Sequence, residues 1–300
     1  MQDVEPRKTV NSVWLGRDND MSRVARIGWQ MSSELNIGRE VRPALPGRSE
    51  YTVKMTKILE RVRAETVKFE QIEDELLDTL WELDAKLQAG AIAMESYRND
   101  KGNWWTEIIR KIIQRAADVE VKPASITGTS ETHNVDLVLI RASVPMVCVE
   151  VKAQGNPGYL LRKEMKPERR IQSDIDKRLK EVKYTSVDLK RKYGRSGGDK
   201  ILSLDKEQDW IEWKDNAQPK FYAIWLGRRA TGESVELLLR KMREAMKYLN
   251  GIGAFMYEAR EDSRGYRQID VFKAEFPISV AIEKIVADIK SAATGQALLS

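Results

Sequence analysis

Two short apolar runs with charges in their interiors constrain this chain most. They are Asn134-Val-Asp-Leu-Val-Leu-Ile140 and Met146-Val-Cys-Val-Glu-Val-Lys-Ala153, each rich in β-branched residues and separated only by Arg141 to Pro145. This pattern predicts a β-hairpin with its strands side by side. Side chains alternate along a strand, so Glu150 and Lys152 leave one face while Val149 and Val151 take the other. Asp136 on the first strand brings a third ionisable group to the same sheet edge. A solvated charge pair would be worth only a few tenths of a kcal/mol. Cys148 continues the row of Glu150 and Lys152, however, so that face is not fully wet. Charges among apolar strand residues are costly to desolvate unless paired or metal-bound, which points to a functional site.

The chemistry that suits two carboxylates and a lysine is metal-assisted hydrolysis of a phosphodiester. Mg²⁺ prefers hard oxygen ligands and keeps its remaining positions for water and phosphate oxygens. It lowers the pKa of a bound water and stabilises charge developing on phosphate. A neighbouring lysine can orient or help deprotonate that water and offset the charge of the transition state.

Asp136, thirteen intervening residues and then Glu150-Val-Lys152 resemble the bipartite signature of the PD-(D/E)xK nuclease superfamily, best known among type II restriction endonucleases. Val135 stands where that family usually has proline. Members commonly carry an acidic residue on a helix before the hairpin, and Glu107 in Gly102-Asn-Trp-Trp-Thr-Glu-Ile-Ile-Arg-Lys-Ile-Ile113 fits that place. Glu107 can equally pair with Arg110 or Lys111 at helical spacing. The resemblance covers roughly residues 100 to 230. It implies a mixed α/β fold with the restriction-endonuclease-like core, a mixed central sheet flanked by helices. It also implies catalytic Asp136, Glu150, Lys152 and Glu107, with Asp136 and Glu150 as ligands of Mg²⁺, for which Mn²⁺ substitutes. The substrate it implies is double-stranded DNA, cut at a specific site by a homodimer. Repair, recombination and mobile-element nucleases share this core, and a DNA-binding or assembly protein that no longer cuts is the reading from another class.

Charge distribution agrees with a nucleic-acid partner. The formal net charge is only +5, yet Leu161 to Arg195 holds thirteen Lys or Arg against six Asp or Glu. Phosphate is drawn to such a surplus by direct contacts and counterion release. Arg162, Lys163, Arg169 and Arg170 are the candidate DNA contacts, together with the polar stretch Thr127 to Asn134. The plainer alternative is a solvated helix face paired with Asp174, Asp176 and Glu181. One cysteine excludes a disulfide framework or Cys-rich zinc site and one histidine excludes His-rich metal chemistry. His133 reads as a turn residue or a DNA contact. No phosphate-binding Gly-x-x-x-x-Gly-Lys-(Ser/Thr) motif occurs, so no nucleotide cofactor is expected. There is no apolar run of about 18 residues and no signal-like start, which fits a cytoplasmic protein without a membrane partner.

Along the chain, residues 1–98 read as a helical N-terminal region and 99–300 as the nuclease domain. A helical stretch near Met21 to Leu35 precedes a break at Pro43, Pro46 and Gly47. From Tyr51 to Gln88 no Gly or Pro occurs, and Met55, Val62, Phe69, Leu76 and Leu83 recur every seven residues. This predicts one long amphipathic helix, or two joined near Phe69 to Asp74, serving as a dimerising coiled coil or packing on its own chain. With seven basic against eleven acidic residues, 51–100 is a poor DNA surface. Beyond it, helix is predicted over 104–117, 168–193, 233–249 and 280–292. Strands are predicted over 119–123, the hairpin, 221–226, 253–258 and 268–272. Trp104 and Trp105 read as packing anchors, and Asn103 as a helix cap.

Overall fold

The computed structural model describes residues 52–162, 164–194, 213–262 and 264–295. The expected N-terminal helix, the break at Pro43 to Gly47, and Lys163 lie outside them. A six-stranded mixed sheet forms the centre, in the order β1 (Lys122–Thr127), β2 (Thr132–Arg141), β3 (Val144–Gln154), β6 (Lys220–Arg228), β7 (Gly251–Ala259), β8 (Tyr266–Gln268). β1, β2 and β3 form an antiparallel meander, β3, β6 and β7 run parallel, and β8 closes the far edge antiparallel. β4 (Tyr159–Leu161) and β5 (Glu164–Lys166) pair as a separate small hairpin.

The helices that flank the sheet are α1 (Val53–Ala64), α2 (Glu73–Gln88), α3 (Met94–Ala117), α4 (Ile171–Tyr193), α5 (Val235–Met246), α6 (Asp270–Glu275) and α7 (Ile278–Thr294). The two sheet faces bury separate cores. Leu137, Val149, Val151 and Ile224 pack with α1, α2, α3 and α7. Val138, Cys148, Ala223 and Trp225 pack with α4, α5 and α6. Strand alternation thus assigns Glu150 and Lys152 to the α4 face, in line with Cys148. No described helix is long and apolar enough to cross a membrane.

The stretch 51–88 folds as two helices. Thr52 caps α1 by accepting from the Met55 N–H at 3.1 Å, and α2 opens on Glu73, Asp74 and Glu75, which suit the positive end of the helix dipole. Its heptad residues Met55, Val62, Phe69, Leu76 and Leu83 are all buried in the core shared with α3 and the sheet. The stripe therefore packs on its own chain, and the division expected at residue 98 falls inside α3. Trp104 and Trp105 are buried anchors: Trp104 donates from Nε1 to the Met55 carbonyl at 3.1 Å, and Phe69 meets Trp105 edge-on at 5.9 Å. Asn103 lies within α3 and caps nothing. The strand expected over 268–272 ends at Gln268, because Asp270 begins a helix there.

One buried charge ties these layers together. Asp84 on α2 is 1% exposed and accepts from Tyr97 Oη of α3 at 2.7 Å and from Tyr266 Oη of β8. Arg228 of β6 approaches the same carboxylate at 3.3 Å and donates to Tyr266 Oη at 3.0 Å and Glu168 at 2.8 Å. Removing Asp84 leaves the Tyr97 and Tyr266 hydroxyls without their acceptor and Arg228 with Glu168 alone, and breaking a buried pair costs about 3–5 kcal/mol. Asp84→Ala is therefore expected to lower urea-unfolding stability by about 3–5 kcal/mol; unchanged stability would mean that α2 is not bound to the sheet through this carboxylate.

Candidate active site

The site begins at an irregularity in β2. Lys122 pairs with Val138 and Ala124 with Val135, so β2 carries one more residue than β1 across the Asp136–Leu137 step. Bulges of this kind interrupt the ladder and re-aim a side chain. The residue opposite is Pro123 on an edge strand, which has no N–H to lose from the ladder. On the other side, the β2–β3 ladder ends at Leu137 opposite Val149. Just beyond it, the Asp136 carboxylate accepts the Val151 N–H at 2.8 Å. A side-chain acceptor thus takes over where a strand carbonyl would otherwise serve.

β3 continues to pair with β6 through this region, with Glu150 beside Ala223 and Lys152 beside Trp225. Glu150 is only 5% exposed. Burial pushes its carboxyl up to about 7; the Lys152 ammonium pulls it down, and Asp136 adds to the rise. Lys152 donates to Glu150 Oε2 and lies 3.6 Å from Asp136 Oδ2. Burial alone would lower the Lys152 pKa, but Glu150 and then Asp136 outweigh it, so the net shift is upward and the ammonium stays charged. Two carboxylates and one ammonium therefore share a small, half-enclosed space, with a positive charge already between the acids.

This donor set suits one kind of metal. Among the described residues no group of three or more His, Cys, Asp or Glu could form a metal cage. Mg²⁺ is bound through one or two carboxylates plus waters and substrate phosphates rather than by an all-protein cage. Asp136 and Glu150 offer that number of carboxylates, and the buried Glu150 carboxylate gains from any added positive charge.

The remaining expected site residues are dispersed. Glu107 accepts from Arg110 at 2.8 Å and from Arg63 of α1 at 3.2 Å, and its helix packs on the sheet face opposite Glu150 and Lys152. It is thus an ion-pair partner of α1 and does not join the cluster. Arg162 is exposed at the tip of the β4–β5 hairpin with φ +48°, a conformation unfavourable for a long side chain. Arg169 forms an isolated bridge with Asn156 and pairs with Asp174 at 2.6 Å. Arg170 is exposed at the start of α4. His133 is neither a turn residue nor a surface contact: it is buried in β2, 2.8 Å from Asp188 and 3.3 Å from Thr185 of α4. Asp188 also accepts the Ser130 N–H at 2.9 Å, pinning the β1–β2 turn and most of the expected polar loop to α4.

Beside the cluster, at the C-terminal end of β3, is an open cleft reached by Tyr97 and Lys101 from α3, Gln154 from β3, and Arg178 from α4. The chain leaves β3 through Gly155, with φ +74°, where a Cβ would fall 2.2 Å from the Arg228 carbonyl. Only glycine fits that crossing. Gln154 continues the Glu150, Lys152 row by strand alternation; Arg178 falls in the basic stretch 161–195, whereas nothing local in the sequence marked Lys101.

Compared with family models, curated proteins and solved structures, the chain matches none. Fold and site define a mixed α/β protein with a half-enclosed carboxylate–lysine–carboxylate cluster at a sheet bulge. The expected result of a Mn²⁺ titration by calorimetry is one site that weakens more than about a hundredfold in Asp136→Asn and Glu150→Gln. Glu107→Gln should bind as wild type does. Loss of the site in Glu107→Gln, with retention in the other two, would move the metal to α3.

Proposed function

We propose that this protein is a Mg²⁺-dependent endonuclease that hydrolyses phosphodiester bonds of double-stranded DNA, and within that class a site-specific restriction enzyme acting as a homodimer. The observation that carries the reading is the convergence of Asp136, Glu150 and Lys152 on one half-enclosed spot. Its setting adds support: helix α3, the β1–β2–β3 meander, helix α4 and parallel strand β6 follow in the order of the PD-(D/E)xK core.

In this reading Asp136 and Glu150 hold the metal. When bound, it supplies an activated water and charge neutralisation at the phosphate. Lys152 is placed to orient the attacking water and to stabilise negative charge on the phosphoryl oxygens. Its ammonium is held between the acids, so its position is set before substrate arrives. The Asp136 link to the Val151 N–H fixes that carboxylate to the strand bearing the other two groups. Exposed Arg162 and Arg170 follow the site in chain order and suit phosphate contacts.

Plasmid digestion tests this. Wild-type protein should cut in Mg²⁺ or Mn²⁺ and yield discrete fragments, while Ca²⁺ should support DNA binding with little cutting because its looser coordination misaligns in-line attack. Asp136→Ala, Glu150→Ala and Lys152→Ala should each lose cleavage while remaining folded. Full cleavage in EDTA, or wild-type cutting by these variants, would sink the assignment. In a companion gel-shift series, Arg170→Ala should reduce the logarithmic salt slope of duplex binding by about 0.9. An unchanged slope would return Arg170 to an ordinary solvated surface.

A further inference from the structure

Gln154 follows Glu150 and Lys152 in the same row of β3 and is 7% exposed. Trp225 Nε1 donates to its Oε1 at 2.9 Å. An indole N–H can only donate, so the amide oxygen must face Trp225 and the NH₂ must face away. That Nε2 is buried and has no hydrogen-bond partner. A buried donor left unpaired is unusual enough to need a physical reason.

Gln154 lines the cleft at the end of β3, and cationic side chains surround it: Arg98 and Lys101 from α3, Arg169 just before α4 and Arg178 within it. Asp174 is the one carboxylate on the lining, and Arg169 neutralises it at 2.6 Å. Arg178 is held by Glu181 at 2.8 Å. Lys101 is 2% exposed and donates to Tyr97 Oη at 3.1 Å and the Gly155 carbonyl at 2.9 Å. An ammonium has three N–H groups, so these two hydrogen bonds do not exhaust it, and beyond them it meets, among the described residues, only the Tyr97 and Tyr257 ring faces, at 5.4 and 5.6 Å. Burial holds the Lys101 pKa down to about 8, so a neighbouring anion would favour its charged form.

We propose that this cleft is a phosphate-binding subsite, in which the Gln154 amide and the Lys101 ammonium donate to the oxygens of one phosphate group and Arg98 and Arg178 supply further positive charge. A tetrahedral anion with several acceptor oxygens meets all of these donors at once. The identity of the phosphate rests on the nuclease reading: it belongs to the strand being cut. Gln154 lies two strand positions, about 7 Å, from Lys152, so this phosphate sits beside the scissile one. It is either an internal phosphodiester or a terminal phosphate.

The test uses the full chain without metal, titrated calorimetrically with inorganic phosphate and with chloride as control. Wild type should bind phosphate saturably. Gln154→Glu keeps the acceptor for Trp225 and turns the free donor into a negative charge, and should weaken binding about ten- to hundredfold, the scale of a charge-assisted hydrogen bond. Arg98→Ala, on the exposed side of α3, should weaken it less and serves as the deciding variant if Gln154→Glu does not fold. Short duplexes with 5′-phosphate or 5′-hydroxyl ends then separate the sources: preference for the phosphorylated end assigns a terminal phosphate, equal affinity an internal one. No phosphate binding by wild type, or wild-type binding by both folded variants, overturns the subsite. Phosphate binding without plasmid cleavage in Mg²⁺ would keep the subsite and remove the nuclease reading; cleavage without phosphate binding would do the reverse.

Discussion

The ammonium of Lys152, held between the carboxylates of Asp136 and Glu150, is the interaction on which the site depends. In water three such charges would gain little from meeting, since exposed ion pairs contribute at most about 1 kcal/mol. Here Glu150 is nearly excluded from solvent, and burial raises its pKa to about 7. The cluster tolerates this because each acid has a cation or an N–H directed at it: Lys152 for both acids, and the Val151 N–H for Asp136. The bulge in β2 makes it possible by freeing Asp136 from a regular ladder position.

The frame around the cluster is held by a second, unrelated set of buried polar groups. Asp84, Tyr97, Tyr266 and Arg228 come from α2, α3, β8 and β6, and Arg228 reaches on to Glu168 just before α4. Through Tyr97 and Lys101 this network borders the cleft at the end of β3. The N-terminal helices thereby help to hold one wall of the candidate site. Stability and site geometry are coupled here, because polar networks of this kind are favourable only when every member is satisfied.

Period-two alternation is rigid, so Glu150 and Lys152 could be placed on one face, and Asp136 near them, from residue order alone. The flanking helices were legible for the same kind of reason, since their apolar stripes at 55–62 and 76–87 mark a buried face. For Glu107 the pairing with Arg110 was legible from helical spacing, but its second partner was not, because the rotation of a helix about its axis is set by what it packs against: Arg63, 44 residues away, shares that carboxylate. The β4–β5 hairpin escaped notice because strands of three residues carry too little pattern. Asp84 and Tyr266 are 182 residues apart, and nothing local in either segment marks the partnership.

In the proposed function, Asp136 and Glu150 jointly hold a divalent metal over which a DNA phosphate is cut. The most direct measurement is an anomalous-scattering map from crystals of the full chain grown with Mn²⁺ and a short duplex. The expected result is one strong Mn²⁺ peak beside the carboxylates of Asp136 and Glu150, with a DNA phosphate next to it and Lys152 facing that phosphate. A peak elsewhere, or an unaltered Asp136–Lys152–Glu150 ion-pair cluster with DNA bound away from it, would contradict it.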